Sequence, residues 1–273
     1  MAEFALRRII IACDAASDIR LAVEEGAVLA ERWNAALHGV FLEDENLFRL
    51  AGLPFGRQVT LSSSVSESLS ATDLAALSSA LGAGMRRTLA EAAAERGLEW
   101  SFGVVRDLPT VAALVGIEGD LLVVQGATRP FSGAWRPRSP WDSLPEDHAR
   151  TTLIRRKPRT GPGTVLVLPG RREDGDRLLQ AGLAIAGPAD EVVVLLPEAA
   201  TSDGAAPART GEAPAAERRP RIRWAQAPGD QAALLRLIGR LDPALIVIDG
   251  GAAGALSVRD LLAGTSCDVL AVR

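Results

Sequence analysis

The amino-acid sequence predicts two α/β units in tandem, each with five strands, and an internal repeat is the main observation behind this prediction. Residues 8–42 have the pattern of a strand, a turn, a helix and a strand, and residues 164–198 repeat that order, so that Gly26 corresponds to Gly182. Farther along, LEWSFGVVRD and GDLLVVQGA in the first copy match IRWAQAPGD and PALIVIDGG in the second. Self-similarity of this kind indicates a duplicated supersecondary unit. Strands that alternate with helices are typical of parallel sheets.

The first copy opens with a βαβ unit. Residues 8–13 are a short, β-branched apolar run, long enough for a strand and too short for a helix. Turn residues follow, among them Ser17 as the predicted helix N-cap. Apolar residues then recur at helical spacing over 19–33, and residues 37–42 are the second predicted strand.

A long helix and three further strands complete the first copy. Residues 72–97 place large apolar residues on one helix face and end in Gly97, which suits a helix C-cap. The apolar residues of that face are Leu74, Leu77, Leu81, Met85 and Leu89. The remaining predicted elements are a strand around Trp100, a helix over 108–115, and strands over 121–124 and 152–156.

The second copy is shorter than the first. Where the first copy has its long helix, residues 199–220 are rich in Ala, Pro, Gly and Ser and lack helical periodicity. We therefore predict a flexible insert and the loss of one helix. The elements predicted after it are a helix over 231–239 and strands over 245–248 and 269–273. The predicted domains are 1–157 and 164–273, joined by a linker at 158–163.

Composition and charge exclude several classes of protein. The formal net charge is −4 and the isoelectric point is about 5.4, so the chain lacks the basic character typical of nucleic-acid binding. We expect no membrane span, because no apolar run approaches the roughly 18 residues required. The stretch MAEFALRRII has no signal-peptide pattern, and Cys13 and Cys267 do not form a disulfide framework. We expect a cytoplasmic protein.

The pattern of strand, Asp, small residue, Ser, helix and strand, followed by a long helix and DLLVVxG, resembles the tandem form of the universal stress protein family. The stretch LHGVFLEDENLFRLAGLPF is similar to the second strand and following loop of proteobacterial members. This resemblance implies doubly wound parallel sheets of the adenine nucleotide alpha hydrolase-like type. It also implies pairing through the last strands, which a tandem chain can make internally.

The resemblance implies an ATP site with two parts, an Asp after strand one and a Gly-x2-Gly-x9-Gly-Ser/Thr loop after strand four. In the first copy Asp14 has the acidic position, where it either accepts hydrogen bonds from a ribose or forms a turn. Gly126 starts the loop, but Arg129 stands at the second glycine position and prolines follow. Because proline has no backbone N–H, such a loop is a poor phosphate cradle.

The second copy shows the opposite pattern. Pro169 and Gly170 replace the acidic residue, whereas Gly251, Gly254, Gly264 and Thr265 match the glycine spacing. Only three residues separate Thr265 from the last strand, too few for the helix that a phosphate loop begins. We therefore predict a crossover helix within 255–263 that starts near Ser257 and ends at Gly264 with a positive φ.

The other candidate residues point to protein contacts more than to chemistry. Two histidines and two dispersed cysteines give no metal-site spacing, so no metal is expected. No Walker A loop, GxGxxG or nucleophile elbow is present, so we expect no enzyme beyond weak ATP hydrolysis. Phe131, Trp135, Arg136 and Trp141 stand in a Pro/Arg-rich segment and are either partner contacts or a loop folded over its own sheet.

The function predicted from the sequence is regulatory or scaffolding, through a protein partner or a homodimer, with nucleotide binding lost or weakened and no cofactor expected. One alternative is a stress sensor that binds ATP or AMP in the first copy. Another is a non-catalytic structural subunit of a larger assembly.

Overall fold

A computed structural model of the chain describes residues 6–15, 17–43, 48–49, 51, 57–59, 66–68, 70–106, 119–125, 151–156, 161–171, 174–197, 220–250 and 256–272. The first half contains β1 (Arg8–Cys13), α1 (Ile19–Trp33), β2 (Ala36–Leu42), β3 (Arg57–Val59), β4 (Ser66–Ser68), α2 (Ala71–Arg96), β5 (Trp100–Val105), β6 (Asp120–Gln125) and β7 (Thr151–Arg155). The second half contains β8 (Thr164–Leu168), α3 (Gly175–Ile185), β9 (Glu191–Leu196), β10 (Arg221–Gln226), α4 (Gln231–Leu241), β11 (Leu245–Asp249), α5 (Val258–Gly264) and β12 (Asp268–Val272).

Ten of these strands form one continuous sheet in the order β10-β9-β8-β11-β12-β7-β6-β1-β2-β5, while β3 and β4 pair separately. Each half contributes five strands, and the order within a half is third, second, first, fourth, fifth. All neighbours in the large sheet are parallel except β7 and β12, which pair antiparallel with Leu153 opposite Leu270. The two predicted five-stranded parallel units are confirmed, and they join through their last strands as the resemblance implies.

The long elements agree closely with the sequence prediction. Helix α1 has the predicted bounds, and α2 ends at the predicted C-cap, where Gly97 adopts a left-handed φ of 64°. The predicted N-cap of α1 is wrong by one residue, since Asp18 caps the helix by accepting a hydrogen bond from the Leu21 N–H at 3.1 Å. The helix predicted over 108–115 lies outside the described residues, as does the insert predicted over 199–220 except for its last residue.

The repeated glycine marks a close contact between a helix and the sheet in each half. A Cβ atom on Gly26 of α1 would lie 2.4 Å from the Ile11 side chain of β1. Its counterpart in α3, Gly182, lies over the first strand of the second half, where a Cβ would be 3.1 Å from Val167. Only glycine permits the helix to approach so closely at Gly26, which explains the recurrence of this residue in the repeat.

The two halves also contact each other through helix ends on one face of the sheet. The Trp33 Nε1–H at the end of α1 donates to the Ala184 carbonyl of α3 at 3.1 Å. Arg32 donates to the Ile185 carbonyl at 3.2 Å and also to the Ala186 carbonyl. These bonds satisfy carbonyls that a helix C-terminus leaves without an intrahelical partner.

Candidate functional site

In doubly wound sheets, ligands bind outside the carboxyl ends of the strands, where the strand order reverses. In the first half this point lies between β1 and β6. Asp14 follows β1 directly, and its carboxylate accepts a 2.8 Å hydrogen bond from the Ser17 hydroxyl. The Asp14 N–H donates in turn to the Ser17 Oγ at 3.0 Å. Asp14 therefore closes the turn that precedes α1.

Gln125, the last residue of β6, spans the crevice between these two strands. Its Oε1 accepts from the Asp18 N–H at 2.6 Å, and its Nε2 donates to the Asp18 carbonyl at 3.1 Å. Both backbone polar groups of Asp18 are thus bound by one side-chain amide. No local sequence pattern indicates this bridge, because it depends on β1 and β6 being neighbours in the sheet.

The corresponding edge of the second half holds a cleft of about 150 Å³. Its walls are the residues at and after the carboxyl ends of four strands, together with parts of α4 and the segment before α5. They are Leu168, Pro169, Gly170, Leu195, Pro197, Ala227, Pro228, Gly229, Leu234, Ile248, Asp249 and Leu256. Pro169 and Gly170 follow the first strand of this half, so no carboxylate stands where the first half has Asp14.

Among the described residues that line the cleft, Asp249 is the one ionisable side chain. It ends β11, its side chain is 15% exposed, and its Oδ1 lies 3.5 Å from Nη2 of Arg177. Arg177 also lies 3.4 Å from the Asp174 carboxylate, so it is shared between two acids. Sequence reasoning overlooked Asp249, although an acid directly after the buried strand LIVI is the same signal that singled out Asp14.

Gly264 and Thr265 lie at the C-terminal end of helix α5. Ser257 is its N-cap and forms a capping box with Asp260, and Gly264 is its last residue. The helix therefore occupies the predicted place, but the predicted positive φ at Gly264 is wrong, because the chain leaves the helix through Thr265 in an extended conformation. Since β12 begins at Asp268 opposite the start of β11, Gly264 and Thr265 lie at the amino edge of the second half of the sheet.

Comparison with known proteins identifies the architecture. A universal stress protein from Archaeoglobus fulgidus DSM 4304 matches with a TM-score of 0.61 and 10% identity over 99% of this chain and 97% of that chain. The fold is that of the universal stress proteins. A putative universal stress protein from Pseudomonas aeruginosa UCBPP-PA14 matches with a TM-score of 0.51 and 19% identity over 98% of this chain and 94% of that chain.

A functionally unknown protein from Pseudomonas aeruginosa PAO1 matches with a TM-score of 0.53 and 19% identity over 98% of this chain and 93% of that chain. No family model and no curated protein sequence matches the chain. The likeness to universal stress proteins is therefore one of architecture, and the site has to be judged on this chain's own residues.

Of the ATP loop predicted for the second half, Gly264 and Thr265 lie among the described residues, and the Thr265 donors are not placed to bind phosphate. A phosphate cradle needs free N–H and O–H donors at the carboxyl edge. The Thr265 N–H and hydroxyl instead both donate to the Leu261 carbonyl, at 2.9 and 2.7 Å, and Thr265 lies at the opposite edge of this half.

The remaining predicted site residues lie outside the described residues. Gly126, Gly251 and Gly254 were predicted for nucleotide binding, and Phe131, Trp135, Arg136 and Trp141 for a partner interface. Of the site residues predicted from the sequence, the described part of the chain therefore contains Asp14, Gly264 and Thr265. Asp14 follows β1 and Thr265 precedes β12, so they lie in different halves. Because the halves run antiparallel, both lie at the same edge of the ten-stranded sheet, but β6 and β7 stand between the two strands.

Of the histidine and cysteine side chains, His38, Cys13 and Cys267 are described, and they lie within the sheet and at the seam between the halves. Burial raises the pKa of the Cys13 thiol to about 12, and burial also raises the pKa of Cys267, whose Sγ lies 3.2 Å from the Thr265 Oγ1. Thiols with raised pKa values are poor nucleophiles at neutral pH. Within the residues described, no cluster of three or more His, Cys, Asp or Glu side chains is placed to hold a metal ion. The described helices include none long and apolar enough to cross a membrane.

Proposed function

We propose that this chain is a regulatory or scaffolding protein with the universal stress protein fold, acting through protein contacts, with nucleotide binding lost or weakened. The main support for this proposal is the position of Gly264 and Thr265 in the structure. The pair ends a crossover helix, and the Thr265 donors are bound to the Leu261 carbonyl. In the first half, Gln125 and Ser17 use the polar groups around the β1 turn for bonds within the protein.

A second candidate, an ATP or AMP sensor that uses the first half, is favoured by one feature. Asp14 stands at the end of β1 at the carboxyl edge, beside the strand-order reversal where adenine nucleotides bind in folds of this type. For this candidate the ribose would share the Asp14 carboxylate, whose Oδ1 already accepts from the Ser17 hydroxyl.

Calorimetric titration of the full chain with ATP separates the two candidates. The scaffolding proposal predicts no saturable binding in the micromolar range for the native chain. Micromolar binding that is abolished by Asp14→Ala and retained by the control Asp73→Ala, an exposed acid in the first turn of α2, would replace it with the sensor. Affinity capture with the full chain as bait then tests for a protein partner.

A further inference from the structure

The two outer edges of the ten-stranded sheet differ in charge. Strand β10, at one edge, carries Arg221 and Arg223 among its exposed residues, and charged side chains on an edge strand discourage pairing with another chain. Strand β5, at the other edge, has the sequence WSFGVV and no charged residue. The described part of the chain places no strand on its outer side. The β5 edge therefore lacks the charged side chains that discourage an edge strand from pairing with another chain.

The backbone of β5 is available for pairing in a regular pattern. The Leu37 N–H donates to the Glu99 carbonyl and the Glu43 N–H to the Val105 carbonyl, both at 2.8 Å. Because residues of a strand direct their backbone groups to alternate sides, the N–H and C=O groups of Trp100, Phe102 and Val104 point outward.

The side chains of these outward-directed residues form an apolar strip along the same edge. Val104 is 51% exposed and Trp100 38% exposed, and residues two apart in a strand share a face. Val104 lies beside Gly82 of α2, which places the strip on the α2 face. Leu77 of α2 is 56% exposed, so this helix adds an apolar side chain to that face of the molecule.

We propose that the β5 edge binds the β5 edge of a second copy of this chain, antiparallel and about a two-fold axis at Phe102. Outward-directed residues must pair with outward-directed residues, so Phe102 lies opposite Phe102 of the second copy. Trp100 then lies opposite Val104 of the second copy, on the same face. Aromatic and β-branched residues in directly opposed positions are a favourable cross-strand pair.

Two further features favour a second copy over a peptide of another protein. Under the two-fold axis, each of the two exposed apolar side chains of β5 lies opposite the other one in the second copy. The strand is therefore complementary to a second copy of itself. The chain also already joins two five-stranded units in this way, through antiparallel β7 and β12 with helix ends in contact beside them. This inference deepens the proposed scaffolding role and rests on it, because it names the surface through which one such contact is made.

The first test is the mass of the full chain in solution by sedimentation equilibrium, at micromolar concentrations. We expect a dimer of the 28.7 kDa chain. The variant Val104→Lys places a charge opposite Trp100 of the second copy and should raise the dimer dissociation constant at least about tenfold, since it acts twice in a two-fold interface. The matched control is Val28→Lys, because Val28 is 53% exposed on α1, and it should leave the dimer unchanged.

The second test fixes the register of pairing. In the double variant Trp100→Cys and Val104→Cys, the opposed Cα atoms of two copies lie about 5.5 Å apart, within disulfide range. Within one chain the two positions are about 13 Å apart, too far for a bond. Oxidation should give a covalent dimer from the double variant and none from either single variant.

The outcomes separate this inference from the proposed function. A native chain that is monomeric, or a dimer that Val104→Lys does not weaken, overturns the β5 interface and leaves the scaffolding proposal to its own test. Micromolar ATP binding overturns the scaffolding proposal. The mass measurement and the disulfide pattern then still test the β5 interface, independently of that proposal. A disulfide from a single variant overturns the register.

Discussion

The Arg155 guanidinium lies 2.8 Å from the Asp268 carboxylate, across the seam where the two halves of the sheet meet. Arg155 ends the last strand of the first half, and Asp268 begins the last strand of the second. The Asp268 carboxylate also accepts a hydrogen bond from the Arg156 N–H at 2.7 Å. The Arg155 Nε–H donates to the Glu25 carboxylate of α1 at 2.8 Å. Asp268 is only 5% exposed, so the seam holds a nearly buried charge of the second half that is bound by residues of the first half.

We expect Asp268→Asn to lower the free energy of unfolding by about 3 kcal/mol, because it leaves the Arg155 charge with one partner and weakens the bond to the Arg156 N–H. Urea unfolding measures the change. The control is Glu24→Gln, whose pair with Arg20 is exposed and should change stability by about 0–1 kcal/mol. Equal losses of unfolding free energy in the two variants would show that the pair of Arg155 and Asp268 stabilises the protein no more than an exposed ion pair does.

Substituting two helical glycines should have effects of opposite sign. Gly26→Ala forces a methyl group against the Ile11 side chain and should cost about 1–3 kcal/mol. Gly84→Ala in α2 has nothing within 4 Å of the new atom and should add about 0.5–1 kcal/mol through helix propensity. Thermal unfolding of both variants is the measurement, and a stabilised Gly26→Ala would contradict the close contact between α1 and β1.

The cap of α5 can be removed without touching the sheet. The Ser257 hydroxyl accepts the Asp260 N–H at 3.2 Å and donates to the Asp260 carboxylate at 2.8 Å. We expect Ser257→Ala to cost about 1 kcal/mol of stability. The Ser257 N–H and hydroxyl lower the pKa of the Asp260 carboxyl, so the variant should raise that pKa in an NMR titration. An unchanged pKa would mean that the capping box does not form in solution.

The stability of the protein should depend on His38 in mildly acidic solution. His38 Nδ1 lies 2.7 Å from the Ser101 Oγ, and burial, with Arg8 nearby, lowers the pKa of the imidazole. The folded state therefore favours neutral His38, and its contribution is complete above the unfolded value of about 6.5 and is lost as pH falls through the lower folded value.

Urea unfolding of the native chain and of His38→Gln, at a series of pH values from about 7.5 to 5.5, tests this sign. The native chain should lose stability over that window, and the variant should lose less. The comparison uses the difference between the two chains, because the other groups that titrate are common to both. A steeper loss in the variant would mean that the folded state favours charged His38.

The sequence predicted the elements of this fold better than it predicted the site. Helices α1 and α2 are recognisable because apolar spacing and the cap at Gly97 are local signals, and the internal repeat predicts two five-stranded units. The bridge from Gln125 to Asp18, and the contact of Arg155 with Asp268, join residues far apart in the chain. No local pattern marks such contacts, since they depend on which strands become neighbours.

The Gly264-Thr265 pair illustrates both the strength and the limit of reasoning from spacing. Chain length correctly placed the end of α5 there, because a parallel crossover needs a helix and few residues remain. The conformation was not predictable in the same way. Gly264 remains helical rather than left-handed, since Thr265 makes the exit in an extended conformation and binds the Leu261 carbonyl with its own hydroxyl.

We propose that neither half of this universal stress protein fold retains a tight nucleotide site, and amide hydrogen exchange with and without micromolar ATP is the measurement that tests this proposal. We expect unchanged exchange in the turn at Ser17 and Asp18, at Gln125, and around Thr265, because the polar groups there form hydrogen bonds within the protein. Strong ATP-dependent protection of the turn at Ser17 and Asp18 together with Gln125 would contradict it and would place a nucleotide in the first half.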